Sequence, residues 1–394
     1  MEIQLIGGSK PEITIGVLGQ DGHGKTSLTA AIVQTLSRQN GSSVEGDEIV
    51  VNPGDCREAN RLPFFYETAV RRYTHIDCHR HIDVTKNLIL NWFPLQGAIL
   101  VVSSVEGITD QTREQVRLAH DVGVAALVVF LNKCDLTEDT ELPDIAELEV
   151  RELLAGYGYA AKTPIIRGSA TAALNNLETD RFDLWNGKIR DLLDAMDAAL
   201  PVPPSIQDGP FLMSVEEVFI IQTKGTIVTG RAERGIYRSN SPVEVVGFGP
   251  TWQTVATCLE QFHKKCDTIY GGDNAGVMLR SANRTNAQRG QVLAAPGTIQ
   301  AASWFRAVIY LPTRQEKGSD RPDLSDKTLE FFIRTTWING TLELEERTGP
   351  LRGGDTIRAA AVLESYIALE PGLRFTLREK GRSIGIGVIT EILF

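Results

Sequence analysis

Near its amino terminus the chain reads Gly19-Gln20-Asp21-Gly22-His23-Gly24-Lys25-Thr26, which has the spacing G-x-x-x-x-G-K-[ST] of a phosphate-binding loop. An apolar strand candidate, residues 13–18, precedes this stretch, and a helix candidate, residues 25–36, follows it. A glycine-rich turn without a ligand is the alternative interpretation. The complete spacing and the flanking elements favour a phosphate-binding loop.

The residue types in this loop suit a nucleotide. Glycines let backbone N–H groups turn toward an anion, and the start of the helix adds the positive end of its dipole. We predict that the loop and the adjacent Ser27 bind a nucleotide, with Lys25 on the outer phosphates and the Thr26 hydroxyl on Mg²⁺. Asp77 ends a later strand candidate, and we expect its carboxylate to hold a water molecule on the same ion.

The length and composition indicate a globular protein of several domains. With 394 residues the chain is too long for one hydrophobic core. No segment approaches the roughly 18 consecutive apolar residues of a membrane span, and residues 1–4 lack the basic start of a signal peptide. The five cysteines show no pairing pattern, and the net charge is −10. We therefore expect a cytoplasmic protein in a reducing compartment that contacts no membrane and does not bind DNA irrespective of sequence.

Strand-like and helical segments alternate as far as about residue 200. This pattern predicts an α/β domain, residues 1–200, with a doubly wound and mostly parallel sheet. The segment 64–70 is separated from the strand candidate 73–77 by a short turn only, so we predict an antiparallel edge strand there. The other strand candidates are 13–19, 97–103, 126–132 and 163–168, and the helix candidates after the first are 81–92, 110–122, 144–157 and 182–200.

The rest of the chain reads as β-structure. Residues 201–210 are rich in proline, which predicts a linker. Short β-rich runs separated by turn residues follow, and this spacing predicts two all-β barrel domains, residues 211–299 and 300–394. The strand candidates are 211–221, 226–232, 243–246, 254–259, 275–279 and 291–294, then 304–310, 329–336, 340–345, 356–363, 374–378 and 384–392.

Two segments of the α/β domain specify the base of the nucleotide. The strand 126–132 runs into Asn132-Lys133-Cys134-Asp135, an N-K-x-D motif. Asp135 can accept two hydrogen bonds from guanine, which adenine cannot supply, and a site built on such pairing discriminates strongly. We expect Lys133 along the base plane and Asn132 between the loops. Gly168-Ser169-Ala170 is expected to offer backbone N–H groups to guanine O6, so the order of these elements predicts GTP or GDP.

The chain resembles the elongation factor Tu family of bacterial translational GTPases over nearly its whole length. The resemblance rests on motifs such as Gly24-Lys25-Thr26-Ser27, Gln111-Thr112-Arg113-Glu114 and Arg334-Thr335-Thr336, and on residues 97–103, 128–135, 224–235, 289–298 and 381–387. It implies a P-loop GTPase domain followed by two β-barrels, with GTP or GDP and Mg²⁺ as cofactors. It also implies aminoacyl-tRNA, the ribosome and a guanine-nucleotide exchange factor as partners.

Differences from the family lie where the γ-phosphate is sensed and cleaved. The family sequence Asp-Cys-Pro-Gly-His corresponds here to Asp77-Cys78-His79-Arg80-His81, so Arg80 replaces a glycine whose N–H contacts that phosphate. His81 aligns with the histidine that positions the attacking water and is the candidate catalytic residue; a surface histidine at a helix start is the alternative. The family's switch threonine has no counterpart, and Glu58 falls at or near its place. Asp21 replaces an apolar residue of the loop.

The resemblance also suggests tRNA contacts in both barrels. In the first, the family's aminoacyl pocket corresponds to Glu216, Glu217, Phe219, Thr229 and Asn274, with Glu260 and His263 nearby. A place in the barrel core or surface is the alternative for Phe219 and Thr229. In the second, the candidates for contacts with tRNA phosphates are Arg334, Arg378, Lys380 and Arg382. An aromatic family segment is replaced by the more acidic residues 317–324, which weakens the expected tRNA affinity.

These observations support two functions. The first is a translation elongation factor that carries aminoacyl-tRNA to the ribosome and hydrolyses GTP. The alternative is a divergent paralogue that binds guanine nucleotide but has impaired hydrolysis or switching and a regulatory or partner-binding role, as the missing switch threonine and turn glycine suggest. A metabolic GTPase of the same plan fits less well, because the resemblance continues into both barrels.

Overall fold

The computed structural model describes residues 10–40, 64–76, 88–89, 95–136, 141–175, 182–203, 205–221, 225–261, 264–280, 287–313, 324, 328–345 and 350–393. The chain divides into two compact units, Met1–Pro203 and Pro204–Phe394. The division falls within the predicted linker, residues 201–210, where prolines prevent the helix from continuing.

The first unit contains a six-stranded sheet in the order β2-β3-β1-β4-β5-β6. All neighbouring pairs are parallel except β2 and β3, so the predicted parallel sheet and its antiparallel edge strand are confirmed. β4 is buried along its whole length, as expected for a central strand covered on both faces. The strands are β1 (Glu12–Leu18), β2 (Phe64–Glu67), β3 (Arg72–Ile76), β4 (Gly97–Ser103), β5 (Ala126–Asn132) and β6 (Ile165–Arg167).

Helices pack against this sheet through apolar faces. They are α1 (Lys25–Asn40), α2 (Asp110–Asp121), α3 (Glu141–Gly156), α4 (Ala170–Asn175) and α5 (Phe182–Ala199). Thr109 caps α2, since its side chain accepts a hydrogen bond from Thr112 N. The sequence did not predict α4, and the predicted helix 81–92 lies largely outside the described residues. None of the helices in the described ranges is long and apolar enough to cross a bilayer.

A buried histidine joins α1 to the edge of the sheet. His75 of β3 is fully buried, with Nε2 3.1 Å from Thr29 Oγ1 and Nδ1 3.2 Å from Tyr66 OH. Burial lowers the pKa of His75 to about 3, because the charged ring would lose its hydration. The imidazole is therefore neutral at physiological pH and serves as a hydrogen-bonding part of the core.

The second unit begins with a six-stranded barrel. Its strands pair in the order β11-β16-β7-β9-β15-β12, and β12 pairs with β11 to close it. β8 and β13 extend the sheet, while β10 and β14 form a separate pair. The strands are β7 (Leu212–Ser214), β8 (Glu217–Ile221), β9 (Gly225–Arg234), β10 (Ile236–Arg238), β11 (Pro242–Val246), β12 (Trp252–Gln261), β13 (Lys264–Cys266), β14 (Thr268–Tyr270), β15 (Asn274–Leu279) and β16 (Val292–Ala294).

A second closed barrel follows, in the order β17-β20-β19-β18-β21-β22. Its core is aromatic at the centre, where Phe305 packs edge-on against Phe331 and Phe375. The two predicted all-β barrels are thus confirmed. The strands are β17 (Gln300–Tyr310), β18 (Leu329–Ile333), β19 (Thr336–Leu344), β20 (Thr356–Leu369), β21 (Arg374–Glu379) and β22 (Arg382–Leu393).

Two strand predictions in the barrels were wrong, and three short strands were not predicted. The predicted strand 211–221 is interrupted between β7 and β8, and the predicted strand 329–336 ends at Ile333. There Arg334 turns the chain with a φ of 53°, in the left-handed region that few side chains adopt. The short strands β10, β13 and β14 were not predicted, because three-residue segments carry almost no periodicity.

Candidate nucleotide-binding site

The phosphate-binding loop connects β1 to α1. Gly19, Gly22 and Gly24 have φ angles of 134°, 86° and 94°, which glycine adopts without steric cost. Space is limited at two of them: a Cβ atom would lie 2.2 Å from Val101 O at Gly19 and 2.3 Å from Asn132 Nδ2 at Gly24. The loop therefore packs directly on the ends of β4 and β5, and only glycine fits positions 19 and 24.

Lys25 places a cation at the mouth of this loop. Its Nζ donates to Gly19 O at 2.7 Å and to Gln20 O at 3.0 Å, and Asp21 Oδ1 lies 3.2 Å away. Only 4% of the Lys25 side chain is exposed, whereas 55% of Asp21 is exposed. In this structure the ammonium group is thus held by two carbonyl oxygens of the loop and by the Asp21 carboxylate, and its predicted contact with phosphates remains a prediction.

His23 connects the phosphate-binding loop to the end of β4. Its ring is buried, and Nδ1 accepts a hydrogen bond from Ser103 N at 3.2 Å. Burial lowers the pKa of the His23 imidazole, although the Glu106 carboxylate acts in the opposite direction. The Nε2 atom lies 3.6 Å from Glu106 Oε2, an electrostatic contact longer than a hydrogen bond. The Nδ1 atom thus has a hydrogen-bond partner, whereas the buried Nε2 atom has none among the described residues, and the predicted contact of His23 with a nucleotide remains a prediction.

Asn132 joins the two loops of the site. Its Nδ2 donates to His23 O at 2.8 Å, and its Oδ1 accepts from Ala170 N at 2.9 Å. The side chain thus connects the phosphate-binding loop to the segment 168–170, as its predicted position between the loops requires. The N–H of Ala170 donates to Asn132 in this structure, and its expected contact with guanine O6 remains a prediction. Ala170 instead begins α4, and buried Ser169 accepts from Ala172 N at 3.1 Å as its cap.

The N-K-x-D motif forms a tight turn after β5. Lys133 has a φ of 65°, and Leu136 N donates to its carbonyl at 3.1 Å. Cys134 N donates to Gly168 O at 3.1 Å, which holds the turn against the segment 168–170. Asp135 follows with an exposed side chain. Its carboxylate is accessible to a base, as guanine recognition requires.

Glu106, which belongs to none of the sequence motifs, lies beside the N-K-x-D motif. Its Oε1 accepts from Lys133 Nζ at 2.8 Å, and this hydrogen bond holds the pKa of the Glu106 carboxyl below its usual range. Through Oε2 it also faces His23. Since β4 and β5 are parallel neighbours, an acidic residue just after β4 lies at the same edge as the motif after β5. This topological rule could have predicted the position of Glu106 from the sequence.

The predicted metal ligands are only partly described. Thr26 follows Lys25 in α1 and is half-buried at the mouth of the loop, whereas Asp77 lies outside the described residues. β3 ends at Ile76, whose register partner in β1 is Gly16. Hydroxyl and carboxylate oxygens are ligands that Mg²⁺ prefers, with waters and phosphates as the others. In the described ranges no three or more His, Cys, Asp or Glu side chains form a metal cluster.

Several predicted residues lie outside the described residues. These are Arg80 and the catalytic candidate His81, together with Glu58 and His263. Their assigned roles remain predictions based on the resemblance. All but His263 belong to the segments that would sense the γ-phosphate. The described residues therefore bear on nucleotide binding more than on GTP hydrolysis.

The predicted aminoacyl-pocket residues lie together on the first barrel. Glu217 of β8 and Thr229 of β9 are register partners, and Glu216 N donates to Thr229 O at 2.8 Å. Asn274 lies on β15, the other neighbour of β9. Phe219 is 48% exposed, so it is not part of the barrel core. Glu217 and Phe219 are two residues apart on β8, so their side chains point to the same face of the sheet. The aminoacyl-pocket role of these residues remains a prediction.

The basic residues of the second barrel are not equivalent. The Arg334 side chain is only 3% exposed and pairs with Glu233 and Glu370, so its predicted contact with tRNA phosphates is wrong for this arrangement. Arg378 stacks on Trp337, with its guanidinium carbon 4.3 Å from the ring centroid. Arg382 is exposed at the start of β22. Of these three arginines, Arg382 is freely accessible, Arg378 is held in a stack, and Arg334 is buried.

Family models match three parts of the chain. Residues 10–202 match the model described as elongation factor Tu GTP binding domain. Residues 225–294 match elongation factor Tu domain 2, and residues 298–393 match elongation factor Tu C-terminal domain. The matches follow one another in the order of the α/β unit and the two barrels.

Proposed function

The chain belongs to the elongation factor Tu family of translational GTPases, and we propose that it binds Mg²⁺ with GTP or GDP, carries aminoacyl-tRNA to the ribosome and hydrolyses GTP there. The observation that carries the proposal is the bridge made by Asn132 between His23 O and Ala170 N. It holds the phosphate-binding loop and the base-reading segment at a fixed separation, as a nucleoside triphosphate requires. Because the proposed function takes place on the ribosome, we infer that the protein is cytoplasmic.

The residues of the α/β unit divide the chemistry between them. Lys25 neutralises charge on the outer phosphates, and the N–H groups of the loop and of α1 add a fixed positive field. Thr26 and Asp77 would hold Mg²⁺, which supplies charge neutralisation between the phosphates. Asp135 reads the Watson–Crick edge of guanine. His81 would orient the water that attacks the γ-phosphate, a role taken from the family resemblance.

The first barrel supports the tRNA part of the proposal. Its exposed Phe219 lies on the same face of β8 as the exposed Glu217, and a carboxylate there suits the α-amino group of an esterified amino acid. In the second barrel Arg382 can contact the tRNA backbone through its charge, and Arg378 can do so through its stacked guanidinium. An exchange factor is proposed as a third partner, since the family cycle between GDP and GTP requires release of GDP.

One observation favours the alternative function, a paralogue with impaired hydrolysis. The Asp21 carboxylate lies 3.2 Å from the Lys25 ammonium, where it competes with the γ-phosphate and adds negative charge beside it. Arg80 in place of the family's turn glycine would also impair switching if this turn requires a left-handed backbone, which a side chain disfavours by about 1–2 kcal/mol. In this reading the chain binds guanine nucleotide and a partner but does not switch efficiently.

The decisive experiment measures protection of aminoacyl-tRNA from spontaneous deacylation, with GTP bound and with GDP bound. Protection by the GTP form alone supports delivery with a working switch. Equal protection by both forms shows tRNA binding without a switch and supports the paralogue. No protection by either form, in protein shown to bind GDP, contradicts the delivery function.

A further inference from the structure

Gln115 of α2 reaches the phosphate-binding loop from the interior of the domain. Its side chain is fully buried, and Oε1 accepts a hydrogen bond from Gly19 N at 2.6 Å. The two residues are 96 positions apart in the chain. Sequence patterns did not identify this contact, and neither the motif of the loop nor the resemblance assigns Gln115 a role.

The bond acts on the peptide at which the loop begins. Gly19 packs on Val101, where no side chain would fit, and its carbonyl accepts from Lys25 Nζ. The N–H belongs to the Leu18–Gly19 peptide and is held by Gln115, whereas the C=O belongs to the Gly19–Gln20 peptide and is held by Lys25. The two peptides that flank the Gly19 Cα atom are therefore oriented by α2 on one side and by the loop itself on the other.

The second polar atom of the side chain argues against a purely structural role. The oxygen faces Gly19 N, so the amide orientation is fixed and Nε2 points elsewhere. Nε2 is buried and has no hydrogen-bond partner among the described residues. A buried unsatisfied donor costs free energy that an apolar side chain of the same shape would avoid. The contact of the oxygen with Gly19 is the feature that an apolar residue could not provide.

We propose that Gln115 is a positioning residue for nucleotide binding, which fixes the Gly19 peptide so that the loop and Lys25 face the phosphates before the nucleotide arrives. A loop that is ordered in advance loses less conformational entropy on binding and so binds more tightly. This inference rests on the proposed binding of guanine nucleotide and names one determinant of its strength.

The test compares Gln115→Met, which keeps the length of the side chain and removes the acceptor, with Gln115→His, which restores an acceptor nitrogen. Gln111→Met, on the same helix four residues earlier, is the matched control. Equilibrium affinities and dissociation rates are measured for GDP, and affinities for inosine diphosphate, which lacks the exocyclic amine read by Asp135. We expect Gln115→Met to weaken GDP binding about tenfold, Gln115→His to recover part of the loss, and Gln111→Met to match the parent.

The ratio of GDP to inosine diphosphate affinity separates positioning from general damage. It stays at the parent value if Gln115 acts on the phosphate loop, and a ratio that falls together with the affinity overturns the inference. Unchanged GDP binding in Gln115→Met also overturns it. If that variant does not fold, Gln115→Asn replaces it with the same expectations. Failure of the parent protein to bind GDP would instead contradict the proposed function, so the two failures are distinguishable.

Discussion

Arg334 in the second barrel is paired with Glu233 in the first. The same guanidinium also contacts Glu370 Oε1 at 3.0 Å, and Glu370 in turn pairs with Arg234 at 2.8 Å. Burial raises the pKa of the Glu370 carboxyl, but hydrogen bonds and charges from Arg234 and Arg334 outweigh it and hold that pKa below its usual value. These four charges join the two barrels, and they account for the left-handed turn at Arg334, since the pairs offset its backbone cost.

Removal of the central guanidinium should destabilise the second unit. We expect Arg334→Met to lower its free energy of unfolding by about 3 kcal/mol, the low end for loss of one partner from a buried pair, because both carboxylates are partly exposed. Chemical denaturation of the full chain measures this. The control is Arg382→Met, an exposed residue for which a change of about 0.5 kcal/mol or less is expected. Equal stability of the two variants would contradict a joining role for the cluster.

The stability of the first unit should depend on pH through His75. The folded pKa of about 3 lies below the ordinary value of 6.5, so between these values the unfolded chain binds a proton that the folded chain does not. Stability is therefore complete above pH 6.5 and falls below it, by up to about 1.4 kcal/mol per pH unit. In His75→Gln the free energy of unfolding should depend less steeply on pH. The dependence that persists is attributable in part to His23, whose pKa is also lowered. An unchanged slope would show that other groups control the acid response.

Asp135 should control the choice of base. We expect Asp135→Asn to weaken GDP binding at least tenfold, about 1.4 kcal/mol, because one acceptor of the pair that guanine requires is lost. Competition binding with GDP and ADP measures both affinity and preference. Asp144→Asn removes another exposed carboxylate of the same unit and should leave both unchanged. Retention of the full guanine preference in Asp135→Asn would contradict the assigned role.

The carboxylate of Asp21 should weaken nucleotide binding. In Asp21→Asn the Lys25 ammonium keeps its two carbonyl partners but loses a competing anion. We expect GTP and GDP affinity to rise about fivefold, equivalent to about 1 kcal/mol, and the gain to shrink at high salt. Asp191→Asn, with a carboxylate of similar exposure on α5, is the control. A loss of affinity in Asp21→Asn would mean that the carboxylate supports the loop.

Hydrolysis tests the role of His81. If this side chain orients the attacking water, His81→Ala should lower ribosome-stimulated GTP hydrolysis about a hundredfold or more while GDP affinity stays unchanged. His79→Ala, two residues earlier, is the control and should retain the parent rate. Equal rates for His81→Ala and the parent would remove His81 from the mechanism and favour the paralogue.

Much of the nucleotide site was predictable because its chemistry is local in sequence. The spacing of Gly19, Gly24 and Lys25 predicts the loop. The N-K-x-D motif after β5 is recognisable because it follows an apolar strand. Alternating strand and helix patterns predicted the parallel sheet, since the pattern of burial repeats along the chain. The same periodicity indicated two barrels, although it did not place the interruption between β7 and β8.

Other residues could not be predicted because their role depends on what the fold brings near them. From the sequence alone, Arg334 is a candidate phosphate ligand because its guanidinium is positively charged. The sequence does not show whether that group faces solvent or pairs with Glu233. Glu106 and Gln115 join the site through contacts with residues far away in the chain. Such contacts follow from the parallel order of β1, β4 and β5 and from the packing of α2, which composition and spacing do not encode.

The Asn132 side chain sets the distance between the phosphate-binding loop and the segment 168–170. One planar amide separates the loop that takes phosphates from the segment that reads the base, and its size is fixed by covalent geometry. In a nucleotide the corresponding span is fixed by the ribose. In the proposed complex, the bridge would therefore match the distance between base and phosphate, in addition to the groups that bind each end. Under the proposed function, the size of one side-chain amide thus makes the length of the sugar a determinant of binding, in addition to the chemistry of the base and the phosphates.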